Sequence, residues 1–129
     1  MVPSDRPTVL LVEDEILVRI WTADELRDAG FDVVEAANAD EALSRLRDDG
    51  PVDLMMTDIR MPGSMDGLRL AKTVHAAWPS LKIVVASAHV QAADSDTVDA
   101  FFGKPYDPAM VAARIRELLA TPAGVAASA

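Results

Sequence analysis

Short runs that are apolar at every position, "VLLV" at 9–12, "LMM" at 54–56 and "IVVA" at 83–86, recur between longer stretches of helical spacing. A strand with one wet face alternates apolar and polar residues. A strand with no polar alternation is covered on both faces, the situation inside a parallel sheet flanked by helices. We therefore read strands at Thr8 to Val12, Asp32 to Glu35, Val52 to Thr57, Lys82 to Ala86 and Asp99 to Phe102. Between them, Ile16, Leu17, Ile20, Trp21 and Leu26 form the apolar stripe of a first helix, stopped by Gly30. Asn38 with Glu41 resembles a capping box that opens a second helix, with Ala42, Leu43 and Leu46 inward and Gly50-Pro51 closing it. A third helix runs from about Gly67 to Ala77. The last opens on Asp107 as N-cap and Pro108 at the first helical position, with Val111, Ile115, Leu118 and Leu119 inward.

This alternation predicts an α/β fold, a doubly wound five-stranded parallel sheet with helices on both faces. With 129 residues, half of them hydrophobic, one domain over 1–129 is expected,. Its core would span about 7 to 120, with Thr121 to Ala129 a flexible tail. Twelve Lys plus Arg against 21 Asp plus Glu leave a formal charge of -9. That field argues against direct contact with nucleic acid or an anionic membrane, both of which need basic patches. The absence of cysteine excludes disulfides, thiolate metal sites and a Cys nucleophile,. With no apolar segment resembling a signal peptide or a membrane span, the chain reads as a soluble cytoplasmic protein.

Doubly wound sheets carry their sites at the carboxyl ends of the strands, where strand order reverses. Those ends hold Glu13, Asp14 and Glu15 after the first strand, Asp58 after the third, Ser87 after the fourth and Lys104 after the fifth. In the order 2-1-3-4-5 they converge on one crevice. At ~4 Å and an effective dielectric of about 20, each carboxylate pair among Glu13, Asp14 and Asp58 repels by roughly 4 kcal/mol. One lysine does not offset three carboxylates, so a divalent cation is the natural complement. With oxygen ligands and neither His nor Cys close in sequence, that cation is Mg²⁺. Metal, ammonium, hydroxyl and a further carboxylate form a recurring arrangement for handling a phosphoryl group. Asp58 is then the nucleophile, yielding an aspartyl phosphate.

Over nearly its full length the chain resembles the receiver domains of bacterial two-component response regulators. The residues that carry the resemblance are "VLLVEDE" with Glu13 and Asp14, "MMTDIRMPG" with Asp58, "MDGL" with Gly67, "VVASAH" with Ser87 and "FFGKPYD" with Lys104 and Pro105. The resemblance implies a flavodoxin/CheY-like fold and phosphorylation of Asp58 by a histidine kinase or histidine phosphotransfer protein. It also implies Mg²⁺ held by Asp14, Asp58 and the backbone carbonyl of Arg60, with Glu13 assisting through water. Ser87 and Lys104 would hold the phosphoryl oxygens, Ser87 and Phe101 would form the switch, and the Lys104–Pro105 bond would be cis. Arg60 and His89 occupy positions at which the family tunes dephosphorylation.

Each residue also has a plainer reading. Asp58 and Ser87 could cap turns, Glu13 and Asp14 could open the first helix, and Lys104 could lie on the surface. Phe101 and Phe102 alternate across a strand, so one is expected in the core and the other free to move, unless both are packed. Two features depart from the family. "MPGSMDG" is one residue longer than the usual loop, which should bulge, and only about 11 residues, "HVQAADSDTVD", serve as the crossover between the fourth and fifth strands,. A fourth helix there should be short or irregular, and output through that face is open to doubt.

The expected protein is a stand-alone receiver, not an enzyme in the ordinary sense, that is monomeric or weakly dimeric and signals to a downstream protein target or drains phosphate. A receiver excised from a hybrid histidine kinase is the nearest alternative, and a degenerate binding module is argued against by the complete site. A haloacid-dehalogenase-like phosphohydrolase would need an acid two residues after the nucleophile, where Arg60 stands. A flavodoxin-like electron carrier would need a glycine- and hydroxyl-rich phosphate loop where this chain has "EDEI".

Overall fold

The computed structural model describes residues 6–61, 63, 65–88 and 97–120. The described elements are β1 (Thr8–Val12), α1 (Ile16–Asp28), β2 (Asp32–Ala36), α2 (Ala39–Asp48), β3 (Leu54–Asp58), α3 (Gly67–Ala77), β4 (Lys82–Ser87), β5 (Ala100–Gly103) and α4 (Pro108–Ala120). The strands form one five-stranded sheet in the order β2-β1-β3-β4-β5. Every pairing is parallel, with Val12 opposite both Ala36 and Thr57, and Asp58 opposite Ala86.

Successive strand residues point to opposite faces, which divides the apolar runs between two cores. Leu10, Val12, Met55, Ile83 and Val85 pack with Ala42, Leu46, Leu70 and Val74 of α2 and α3. Val9, Leu11, Met56, Val84 and Ala86 pack with Ala23 and Leu26 of α1 and Val111 and Ile115 of α4. The uninterrupted apolar runs are thereby accounted for, since both sides of the central strands are buried.

The caps hold the helices in place locally. Asn38 accepts from the N–H of Glu41 at 2.9 Å, and the Glu41 carboxylate accepts from the N–H of Ala37 at 2.8 Å. Asp107 accepts from the N–H of Ala109 at 2.9 Å. Asp66, not recognised as a cap from the sequence, accepts from the N–H of Arg69 at 2.9 Å. Gly30 ends α1 at φ 104°, a left-handed conformation that glycine adopts without a steric cost,.

Several boundaries move. β3 starts at Leu54, not Val52, because Asp53 uses its carboxylate to accept from the N–H of Thr8 at 2.8 Å. It ends on Asp58, which pairs with Ala86 inside the sheet. β2 and β4 each run one residue further, to Ala36 and Ser87, and β5 covers Ala100–Gly103. Asp99 lies before β5, and its carboxylate accepts from the N–H of Ile83.

The larger correction concerns α1. Of its apolar stripe only Leu26 is buried; Ile16, Leu17, Ile20 and Trp21 are 61%, 82%, 46% and 54% exposed. The buried side is Thr22, Ala23 and Leu26, of which Ala23 and Leu26 pack with the strand residues. Small residues and a threonine allow the helix to lie close, and the large apolar side chains face outward. The crossover for which a short fourth helix is expected falls mainly at 89–96, outside the described residues, as do the tail and residues 62 and 64 of the longer loop.

Candidate functional site

Parallel pairing of β1, β3, β4 and β5 brings their carboxyl ends to one rim. Glu13 directly follows β1, its N–H donating to the carbonyl of Ala36 at 2.9 Å. Asp58 closes β3, Ser87 closes β4, and the N–H of Lys104 donates to the carbonyl of Ser87 at 2.8 Å. The Lys104–Pro105 peptide is cis.

The Lys104 ammonium donates to Glu13 Oε1 and to Asp58 Oδ2, each at 2.7 Å. Glu13 is 2% exposed and Asp58 8%. Asp14 is half-buried, and carboxylate oxygens of Glu13, Asp14 and Asp58 lie within 4.8 Å of one another. The electrostatics follow from this crowding. Burial pushes the Glu13 carboxyl above its ordinary range, against the pull of Lys104 and of the Glu15 N–H that donates to Glu13 Oε2 at 3.1 Å. Burial alone would lower Lys104, but the hydrogen bonds and charges of Asp58 and Glu13 outweigh it and hold the ammonium above the usual lysine range,.

One ammonium among three carboxylates leaves the cluster anionic. The donors are carboxylate oxygens, with no imidazole or thiolate among them, a set that suits a hard divalent cation such as Mg²⁺,. The residues present therefore fit the cation that the acid pair and Asp58 imply.

The backbone around Asp58 depends on Gly67. Its N–H donates to the carbonyl of Ile59 at 2.7 Å. A Cβ there would collide with the carbonyl oxygen of Asp58. The start of α3 thus lies directly against the chain that carries the carboxylate.

Ser87 is buried at 5% exposure on the same rim. Phe101 and Phe102 are both half-buried on opposite faces of β5, Phe101 against the α2/α3 core and Phe102 against the α1/α4 core. Of the two expectations, packing of both rings is the one met, each ring partly buried against its own core. Arg60 is exposed just beyond β3, and His89 lies outside the described residues.

Two further contacts at this rim are absent from the sequence reading. Tyr106, two residues after Lys104, shares a hydrogen bond of 2.9 Å with the buried hydroxyl of Thr22 on α1. Burial raises the Tyr106 hydroxyl above the ordinary phenol range, against the pull of Thr22. Arg19 on α1 donates from Nη1 to the carbonyl of Glu13 at 2.9 Å and from Nε to Glu35 at 3.1 Å. The available signal was Glu35, an acid in an otherwise apolar strand end, with an arginine one helix back to answer it.

Residues 9–116 match the response regulator receiver domain family. The sensor kinase CckA of Brucella abortus (strain 2308) is 35% identical over 122 residues, which cover 90% of this chain and 13% of the kinase. The chain thus spans about an eighth of that relative's length. A CheY-like response regulator receiver domain protein from Methanospirillum hungatei JF-1 superposes with a TM-score of 0.82 at 26% identity, covering 90% of this chain and 95% of that one. TrrA of Thermotoga maritima, a response regulator solved in complex with Mg²⁺-BeF, gives 0.77 at 26% identity, with 87% and 98% covered. Among the described residues no helix is long and apolar enough to cross a membrane.

Proposed function

The chain belongs to the response regulator receiver domain family, and from that premise we propose that it is a phosphoacceptor whose reactive group is Asp58. The observation that carries this reading is the contact of Lys104 with both Asp58 and Glu13 at 2.7 Å inside an all-carboxylate cluster. An Asp58 carboxylate oxygen attacks phosphorus in a phosphohistidine of a histidine kinase or phosphotransfer protein. The P–N bond breaks with its electron pair returning to the imidazole, which takes up a proton, and an aspartyl phosphate forms.

Lys104 is already beside the attacked position, so its ammonium meets the added negative charge without reorganisation. The Ser87 hydroxyl, on the neighbouring strand end, takes a second phosphoryl oxygen. Asp14, Asp58 and the carbonyl of Arg60 would hold Mg²⁺, with Glu13 assisting through water. When bound, the cation neutralises charge on the transferring oxygens. Arg60 and His89 tune the lifetime of the phosphoryl group.

Movement of Ser87 toward the phosphoryl group, followed by Phe101, is the switch that a downstream protein reads. Residues 1–129 make one such domain, with the core from about 7 to 120, acting in the cytoplasm as a monomer or weak dimer. It is a signalling module with self-phosphorylation and self-hydrolysis chemistry, not a turnover enzyme. Signalling to a separate protein target is the first reading, and the similarity to the sensor kinase CckA supports a second, a receiver module of a hybrid kinase.

The test is incubation with Mg²⁺ and a small phosphodonor, followed by intact mass. A single labile phosphoryl adduct, absent from Asp58→Asn and with chelator, is expected. An adduct that survives in Asp58→Asn would overturn the assignment.

A further inference from the structure

The cation cluster depends on where Asp14 points, and Asp14 sits in a loop rather than a strand. The peptide that precedes it carries the carbonyl of Glu13. That carbonyl accepts from Nη1 of Arg19 at 2.9 Å, while Nε of the same guanidinium is held by Glu35 at 3.1 Å. Glu35 in turn accepts from Arg27 at 3.1 Å. The side chains of Arg19 and Glu35 are 19% and 29% exposed. A planar fork held from behind by a carboxylate is well suited to fixing a peptide plane. Among the described residues, Glu13 is also held by its N–H on Ala36 and by its carboxylate on Lys104 and the N–H of Glu15, and the carbonyl of Glu15 accepts from the N–H of Arg19 at 2.9 Å.

We propose that Arg19 is a positioning residue for the carboxylate of Asp14: by holding the Glu13 carbonyl from the helix side, it sets the divalent-cation affinity of the Glu13–Asp14–Asp58 cluster. This rests on the reading of that cluster as a Mg²⁺ site. Arg19 touches neither the cation nor the phosphoryl group in this account. Partners that orient metal ligands commonly change affinity by 10- to 100-fold when they are removed.

The sign of the effect separates positioning from charge. Loss of a cation near an anionic cluster should tighten Mg²⁺ binding, whereas loss of a positioning contact should weaken it. Calorimetric titration of the full chain with MgCl₂ at low temperature, on wild type, Arg19→Met and Arg19→Lys, reads that sign. Positioning predicts a dissociation constant raised about tenfold in Arg19→Met, and by a smaller factor in Arg19→Lys, whose ammonium still offers one donor to the Glu13 carbonyl but cannot also be held from behind by Glu35. Tighter binding in Arg19→Met with Arg19→Lys unchanged would establish charge alone and overturn the proposal. A lower melting temperature with unchanged affinity in both would reduce Arg19 to a structural contact and also overturn it. Should Arg19→Met lose its far-ultraviolet circular dichroism, the lysine variant carries the comparison. Absence of Mg²⁺ uptake by the wild type would remove the site reading itself, whereas uptake by the wild type with unaltered variants removes only the role of Arg19.

Discussion

Lys104 and Glu13, 91 residues apart in the chain, meet at 2.7 Å, and the same ammonium reaches Asp58 at the same distance. A lysine that bridges two buried carboxylates offsets part of a repulsion that the fold has otherwise concentrated at one rim. Lys104→Met leaves Glu13 and Asp58 uncompensated. Breaking such a pair from one side costs on the order of 3 kcal/mol, and we expect urea unfolding in chelator to show a loss of that order. Phosphoryl incorporation from a small donor should fall at least about tenfold.

Glu13 gives the opposite sign. Its folded-state carboxyl is raised by burial despite Lys104. The folded protein therefore binds the proton more tightly than the unfolded chain, and this group's contribution to stability falls as pH rises from the ordinary carboxylate range through the raised value. Glu13→Gln removes that pH-dependent loss and leaves an amide oxygen for Lys104 to donate to. In chelator at pH 7.5 the variant should unfold at equal or higher urea than wild type, and its stability should decline less as pH rises above the ordinary carboxylate range,. With Mg²⁺ present the gap should narrow or reverse, because the cation stabilises most the protein that binds it most tightly, by about 2.7 kcal/mol at a hundredfold excess over its dissociation constant, and Glu13→Gln weakens that binding.

What was legible in the sequence and what was not divides along the range of the interactions. The caps at Asn38 and Asp107 and the continuously apolar strands are set by neighbours a few residues away, and they appear as expected. The rim of Glu13, Asp14, Asp58, Ser87 and Lys104 was legible because a parallel sheet maps strand ends onto a common edge once the order is 2-1-3-4-5. The face of α1 was not. A helical wheel records that Ile16, Leu17, Ile20 and Trp21 lie together, but not whether core or solvent meets them. The decisive information lay in Thr22, whose partner Tyr106 is 84 residues away. The Arg19–Glu35 pair was hidden for the same reason, since its members belong to different elements.

The reassigned face of α1 predicts a contrast within one helix. Leu17→Ser on the outward side should change stability by no more than about 0.5 kcal/mol. Leu26→Ala, at 0% exposure, should cost about 2–5 kcal/mol. Equal losses at both positions, measured by urea unfolding, would restore the inward stripe.

Thr22 and Tyr106 tie α1 to the loop that carries Lys104, and both atoms leave water to do so. Tyr106→Phe removes the phenolic hydroxyl and leaves the buried Thr22 hydroxyl without its tyrosine partner. A loss of about 1–2 kcal/mol is expected. Thr22→Val with Tyr106→Phe should recover part of that loss, because neither polar group is then stranded. A double-mutant cycle in urea reads the coupling, and additivity of the two single losses would show that the hydroxyls do not act as a pair.

Gly67 is the most demanding position near Asp58, because the conflict there is with backbone rather than with a side chain that can rotate. A Cβ would collide with the carbonyl oxygen of Asp58, while the N–H of Gly67 holds the carbonyl of Ile59 at 2.7 Å. To accommodate alanine, either the start of α3 must retreat, breaking that bond and the packing of Leu70 and Val74, or the end of β3 must shift. Overpacking of this kind costs about 1–3 kcal/mol when neighbours can relax, and opposing backbone relaxes least. Gly67→Ala should therefore lose about 3 kcal/mol in urea unfolding. A displaced Asp58 should also slow phosphoryl incorporation in the fraction that remains folded, since a misplacement of about 1 Å in a reacting group can cost a hundredfold. A variant that kept wild-type stability and incorporation would mean that the approach of α3 to β3 is looser than this geometry.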